Sequence, residues 1–116
     1  MAVFSFLKNH RSQIQSLNPA DFKTIIAGKD VQLIDVRTAQ EYAQGTINRA
    51  RLMDVSSMDF EQEIEKLDKS CPVAVFCHSG ARSMYAAKVL VKKGFPAVYN
   101  RSEEHTSELQ SHHDLV

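Results

Sequence analysis

A short run of residues in the second half of the chain combines a nucleophile with groups that bind anions. The run lies between an apolar strand pattern and a helix pattern and consists of Cys77, His78, Ser79, Gly80, Ala81, Arg82 and Ser83. A loop that leaves a strand and enters a helix turns several backbone N–H groups toward one point, and the helix dipole strengthens their field. A cysteine held there is predicted to favour its thiolate form, which is the nucleophilic one.

Other members of this run suit the same chemistry. Gly80 permits the backbone angles of a tight cradle, and Arg82 offers a planar positive fork that suits an oxyanion. Simpler interpretations stay open. Cys77 could be only a small buried apolar residue, His78 could be a loop residue without a role rather than a substrate contact, and Ser83 could only cap the helix.

The elements that must position this run alternate between strands and helices, which predicts an α/β domain with a mostly parallel sheet flanked by helices. The predicted strands are residues 14–17, 31–36, 50–53, 73–76 and 97–99. The predicted helices run from residue 19 to about 28, over 39–43, from a cap at Ser57 or Asp59, and over 83–93. Cys77 follows the strand at 73–76, and parallel sheets bind ligands beyond the carboxyl ends of their strands.

Local signals mark several helix starts. Asn18 followed by Pro19 is typical of an N-cap with proline at the first helical position. Thr38 with Glu41 three residues later has the pattern of a capping box. The apolar residues of the third helix, which recur at i, i+4 and i+7, are Phe60, Ile64 and Leu67.

The whole-chain composition bounds the classes of function. With 116 residues the chain has room for one domain with a single core. The formal net charge is zero, so there is no charge excess to attract nucleic acid or a membrane surface. Residues 1–8 lack the basic-then-apolar order of a secretory signal. We therefore expect a cytoplasmic domain with neither a nucleic-acid nor a membrane partner.

The two cysteines predict free thiols. Cys71 and Cys77 lie six residues apart on either side of a predicted strand, so a disulfide would require that strand to fold back on itself. This arrangement favours a reducing compartment.

The last sixteen residues differ in character from the rest. The segment 101–116, RSEEHTSELQSHHDLV, is polar and has no hydrophobic periodicity, which predicts a disordered tail. The string RSEEHTSELQS resembles the translation of a sequencing adapter. We therefore expect a non-native tail at 101–116, a domain at 1–100 whose residues 1–12 are an N-terminal extension, and no metal site at the adjacent histidines of the tail.

Three segments together resemble the rhodanese homology domain over roughly residues 14–100; they are LIDVRTAQEYAQGTI, VAVFCHSGARS and KKGFPAVYN. The resemblance implies a three-layer α/β fold and a sulfurtransferase that carries sulfane sulfur as a persulfide on Cys77. The sulfur would come from thiosulfate or a persulfide donor and pass to cyanide, a small thiol or a protein acceptor, with no metal or organic cofactor. Residues 78–83 would form the substrate cradle, and Asp35 and Arg37 would support it through a buried salt bridge or hydrogen bond.

The chain departs from the family pattern in three places. Thr46 stands where the family commonly has histidine, and Arg49 stands where it usually has glycine, which places the local packing of this loop in doubt. After Asn100 the family continues with a glycine-rich turn and a final helix, so the adapter-like tail implies a truncated C-terminal element.

Two other functions remain as alternatives. A rhodanese-like binding module, without catalysis or with a sulfur-relay role only, would also have this fold. A cysteine phosphatase or arsenate reductase resembles it too, but holds its oxyanion in a loop with five residues between cysteine and arginine. Four residues separate Cys77 from Arg82, which is a tighter ring that suits one terminal sulfur atom.

Overall fold

The computed structural model describes residues 14–102 and shows strands alternating with helices. The strands are β1 (Ile14–Leu17), β2 (Gln32–Asp35), β3 (Arg51–Leu52), β4 (Val73–Phe76) and β5 (Val98–Arg101). The helices are α1 (Pro19–Ile26), α2 (Ala39–Gln44), α3 (Phe60–Ile64) and α4 (Ala81–Lys92). The predicted α/β class is therefore confirmed.

The five strands form one parallel sheet in the order β1-β5-β4-β2-β3. Strand β4 lies at the centre, between β2 and β5, and all four of its residues are buried. In its register with β2, Asp35 lies opposite Phe76. The segments after β2 and β4 therefore leave the sheet side by side, at the same carboxyl edge.

Two apolar clusters cover the two faces of the sheet, which makes the fold three layers deep. On one face α1 packs through Phe22 and Ile26 against the sheet. On the other face α3 and α4 pack against a larger cluster, and this cluster includes Cys77. Alternate residues of β4 serve the two clusters, because side chains of a strand point to opposite faces in turn.

The starts of α1 and α2 follow the local sequence signals. The Asn18 side chain accepts a hydrogen bond of 2.8 Å from the backbone N–H of Asp21, and Thr38 with Glu41 forms the complete capping box at α2. At α3 the N-cap is Asp59, but its side chain makes no capping hydrogen bond, and the helix ends at Ile64. Leu67 is still buried with the larger cluster, beyond the end of the helix.

The last strand is longer than the apolar pattern predicts. Strand β5 reaches Arg101, which is 2% exposed and lies opposite Leu17 of β1. The physical reason is that strand pairing uses the backbone, so a polar side chain does not end it. Arg101, the first residue of the predicted tail, therefore belongs to the sheet. The predicted extension at 1–12 and the remainder of the predicted tail after Ser102 lie outside the described residues.

Candidate active site

The sulfur of Cys77 lies at the carboxyl end of β4 and receives two backbone hydrogen bonds. Cys77 is 0% exposed. The backbone N–H groups of Gly80 and Ser83 donate to its Sγ atom at 3.1 and 3.3 Å. The Ser83 hydroxyl oxygen lies 3.5 Å from the same sulfur. Two backbone N–H groups and one hydroxyl oxygen therefore surround a single sulfur atom.

The cradle forms because α4 begins two residues earlier than its sequence pattern predicts. Gly80 occupies the N-cap with a φ of 95°, a left-handed conformation that glycine adopts without strain. The turn at Gly80 directs its own N–H group and that of Ser83, in the first turn of α4, toward the sulfur. Ser83 is therefore not the N-cap residue. It is buried in the first helical turn, and its hydroxyl donates to the Gly80 carbonyl at 3.2 Å.

The remaining loop residues form the outer side of the cradle. His78, Ser79 and Ala81 are exposed. The Ala81 N–H donates to the Ser79 hydroxyl oxygen at 3.4 Å, which keeps the loop tight before α4.

The Arg82 guanidinium is engaged by a carboxylate rather than aimed into the cradle as a free fork. Its Nη1 and Nη2 atoms donate to Oε1 and Oε2 of Glu41 at 3.0 and 3.2 Å. The two side chains are 36% and 34% exposed. This ion pair joins the first turn of α4 to the first turn of α2, and the hydrogen bond to Glu41 raises the pKa of Arg82.

Glu41 has two structural tasks at once. Its Oε1 atom also accepts the Thr38 backbone N–H at 3.0 Å and the Thr38 hydroxyl at 3.1 Å, as the capping box requires. The hydrogen bonds from Arg82 and then from Thr38 lower the pKa of Glu41 from its ordinary value of 4.5 to about 2. The carboxylate is thus charged at neutral pH and held in one place by both helices.

A second arginine–carboxylate pair lies next to the site and is buried. Arg37 donates through Nε to Oδ1 of Asp35 at 2.9 Å and through Nη2 to Oδ2 at 2.8 Å, and its backbone N–H adds a bond of 3.0 Å. Arg37 also donates to the Gly45 carbonyl at 2.6 Å. The hydrogen bond to Asp35 raises the pKa of Arg37. The expected buried salt bridge is confirmed.

Thr46 and Arg49, the two residues of the α2–β3 loop that differ from the family pattern, both make hydrogen bonds that explain their presence. The Thr46 hydroxyl donates to Oδ2 of Asp35 at 2.7 Å, so it completes the buried ion pair. Arg49 adopts a φ of 66°, a left-handed conformation that costs a residue with a Cβ atom about 1–2 kcal/mol. Its guanidinium donates to the Ile26 and Gly28 carbonyls at 2.5 and 3.3 Å, which helps to offset that strain.

Sequence reasoning assigned Glu41 to the helix cap alone and gave Thr46 no partner. The contact of Glu41 with Arg82 follows from the neighbouring positions of β2 and β4, because residues that follow adjacent parallel strands meet at one edge of the sheet. That contact depends on the strand order, which the sequence pattern does not supply.

At the carboxyl edge of the sheet, the structure places a nucleophilic side chain, Cys77, beside N–H groups that can bind an anion. The N–H groups of Gly80 and Ser83 can donate hydrogen bonds to a negatively charged sulfur atom at this position. Cys71 and Cys77 are both free thiols.

Within residues 14–102, no three His, Cys, Asp or Glu side chains are grouped so that they could hold a metal ion. Over the same residues, no helix is long and apolar enough to cross a membrane.

Comparison with protein families gives one match, to the Rhodanese-like domain, over residues 18–103. In sequence, the chain is 33% identical over 76 residues to the thiosulfate sulfurtransferase GlpE of Coxiella burnetii, and this match covers 66% of the chain and 69% of that protein. It is also 34% identical over 94 residues to the tRNA uridine(34) hydroxylase of Pelagibacter ubique, covering 80% of the chain but only 31% of that longer protein.

Solved structures show the same likeness. The rhodanese-like domain protein from Staphylococcus aureus superimposes with a TM-score of 0.66 at 26% sequence identity. The match covers 76% of this chain and 84% of that protein.

Proposed function

Because the chain belongs to the rhodanese-like domain family, we propose that it is a sulfurtransferase in which Cys77 carries sulfane sulfur as a persulfide. The observation that carries this proposal is the pair of N–H bonds from Gly80 and Ser83 to the Cys77 sulfur. Two N–H donors aimed at one sulfur would stabilise a terminal sulfur anion bound to it.

The reaction proceeds in two displacements. In the first, the Cys77 thiolate attacks the outer sulfur of thiosulfate or of a persulfide donor. A Cys77–sulfur bond forms, the sulfur–sulfur bond of the donor breaks, and sulfite or a thiolate leaves with the electron pair. In the second, cyanide or a thiol attacks the outer sulfur of the persulfide, and the Cys77 thiolate leaves. Sulfur transfer reduces the donor and oxidises the acceptor by two electrons each, so donor and acceptor balance one another and the cycle needs no further oxidant or reductant.

The burial of Cys77 assigns roles to its neighbours. The sulfur is 0% exposed, and a persulfide bond adds about 2.05 Å to it, so the outer sulfur lies nearer the exposed residues of the loop. His78, Ser79 and Ala81 then border the path of donor and acceptor, and the Ser83 hydroxyl can accept from a thiol or donate to a thiolate. Asp35 and Arg37 support the loop from the adjacent strand end.

The physiological setting is part of the same proposal. The partners are a small-molecule sulfur donor and a thiol or protein acceptor. A cytoplasmic address is supported by the two free thiols, since reducing compartments keep cysteines unpaired.

The test is sulfur loading measured by intact mass. Thiosulfate is added to the wild-type protein and to the Cys77→Ser and Cys71→Ser variants, and masses are recorded before and after cyanide is added. Wild type and Cys71→Ser should gain one sulfur that cyanide removes, whereas Cys77→Ser should gain none. Initial rates with both substrates varied should give parallel double-reciprocal plots, as a covalent intermediate requires.

A folded wild-type protein, checked by circular dichroism, that gains no sulfur from thiosulfate or from a thiol persulfide would contradict the proposal. In that case a rhodanese-like binding module would be the better description. Sulfur gained equally by Cys77→Ser would show that another residue carries it.

A further inference from the structure

The electrostatics at the cradle differ from what the sequence run suggests. Arg82 and Arg37 are the two cations of the candidate site, and each is paired with a carboxylate through two hydrogen bonds. A dianion approaching the Cys77 sulfur would therefore meet no unpaired guanidinium among these residues. The backbone donors that reach the Cys77 sulfur are the neutral N–H groups of Gly80 and Ser83.

A third carboxylate adds to this balance. Asp54 follows β3, where the backbone N–H groups of Met53 and Val55 bond to the carbonyls of Asp35 and Val36. It lies close enough for its charge to raise the pKa of Arg82. Arg82 thus interacts with two carboxylates, Glu41 through two hydrogen bonds and Asp54 through its charge. The Cys77 thiolate adds one more negative charge in the reactive state.

Glu41 cannot easily release Arg82 to a substrate. The carboxylate is held from its other side by the Thr38 backbone N–H and hydroxyl. Moving it away would break the capping box of α2 as well as the ion pair. The capping box of α2 therefore holds Glu41 in the position where it neutralises the charge of Arg82.

From this geometry we infer that Glu41 is a specificity-determining residue that makes the site discriminate against dianionic sulfur donors. The favoured donors are sulfane-sulfur compounds with at most one negative charge, and thiosulfate is a slow donor. The inference rests on the proposed sulfurtransferase function and names the charge class of its donor.

A matched donor pair tests this directly. Thiosulfate and methanethiosulfonate both deliver a terminal sulfur, but methanethiosulfonate carries a methyl group in place of one oxygen and one negative charge fewer. Cys77 attacks the terminal sulfur of either, the donor sulfur–sulfur bond breaks, and sulfite or methanesulfinate leaves with the electron pair. Cyanide then removes the sulfur as thiocyanate in both cases.

Glu41→Gln is the decisive variant, because glutamine is also accepted at the third helical position of a capping box. It removes the charge and keeps the cap. We expect kcat/KM for thiosulfate, relative to that for methanethiosulfonate, to rise about threefold to tenfold, given the Coulomb energy of one charge at the mouth of a solvated site. Asp54→Asn should shift the ratio in the same direction by less, and added potassium chloride should reduce the difference.

Glu61→Gln is the control. Glu61 pairs with Lys93 at 3.2 Å, beyond the end of α4, about 16 Å along the helix axis from Arg82. The same loss of charge there should leave the donor ratio unchanged.

The outcomes separate the two proposals. A ratio that does not move in Glu41→Gln at low salt, or an equal fall in kcat/KM for both donors, would overturn the charge selection and make Glu41 a positioning residue only. If neither donor places sulfur on Cys77 in wild type, the sulfurtransferase function itself fails, and the inference with it.

Discussion

Two arginine–carboxylate pairs lie at the same edge of the sheet, and they differ mainly in burial. In the Asp35–Arg37 pair the side chains are 0% and 7% exposed, whereas in the Glu41–Arg82 pair they are 34% and 36% exposed. Both pairs are held by two parallel hydrogen bonds. Because the cost of an unpaired charge rises steeply with burial, the first pair belongs to the stability of the domain and the second to the electrostatics of the site.

The largest loss in the free energy of unfolding should come from breaking the buried Asp35–Arg37 pair. Asp35→Asn leaves the Arg37 guanidinium buried without its counter-charge, and such a loss destabilises a protein by about 3–5 kcal/mol. That is a large share of a typical total of about 5–15 kcal/mol. Urea unfolding followed by circular dichroism measures it. A loss under about 1 kcal/mol would show that the Gly45 carbonyl satisfies Arg37 on its own.

A smaller loss in the free energy of unfolding should come from removing the Thr46 hydroxyl, which bonds to the buried Asp35 carboxylate. Thr46→Val keeps the shape of the side chain but removes its 2.7 Å bond to Asp35. Hydrogen bonds to charged groups contribute about 1.5–3 kcal/mol, and Thr46 is only half-buried, so the lower end of that range is expected. The same urea titration applies, with Thr24→Val as the control, because Thr24 is exposed and its hydroxyl donates to the Ala20 carbonyl within α1.

The smallest effect on stability should come from the half-exposed pair. Glu41→Gln should cost less than about 1 kcal/mol at pH 7, as exposed ion pairs do. Since the pKa of Glu41 is lowered from 4.5 to about 2 in the folded state, its stabilisation is complete above about pH 4.5 and disappears as the pH falls toward 2. The difference in unfolding free energy between wild type and Glu41→Gln should therefore shrink between pH 6 and pH 3. A difference that grows toward low pH would contradict the assignment.

Much of the fold was predictable because its signals are local. The Asn18 cap, the capping box of Thr38 and Glu41, and the apolar run of β4 each depend on residues that are close in sequence. The position of Cys77 at a strand end follows from the same signals. Those observations alone predict a reactive cysteine in a donor-lined loop.

The features that the sequence did not predict depend on backbone geometry or on contacts between residues that are distant in sequence. The start of α4 at Ala81 depends on the left-handed turn at Gly80, which the apolar pattern of the helix does not reveal. The Arg82–Glu41 pair spans 41 residues and requires β2 and β4 to be neighbours. The extension of β5 to Arg101 depends on pairing with β1 rather than on the side chains of β5.

The strand order also constrains when the domain can form. Strand β1 is at the edge of the sheet, and its neighbour is β5, the last strand of the described chain. During synthesis at about 5–20 residues per second, the stretch between these two strands takes several seconds to emerge, and β1 waits unpaired throughout. The central strands beside Cys77 can assemble earlier, whereas closure of this edge is a late, long-range step of the kind that slows folding. A nascent chain stalled before residue 98 should therefore remain protease-sensitive at β1.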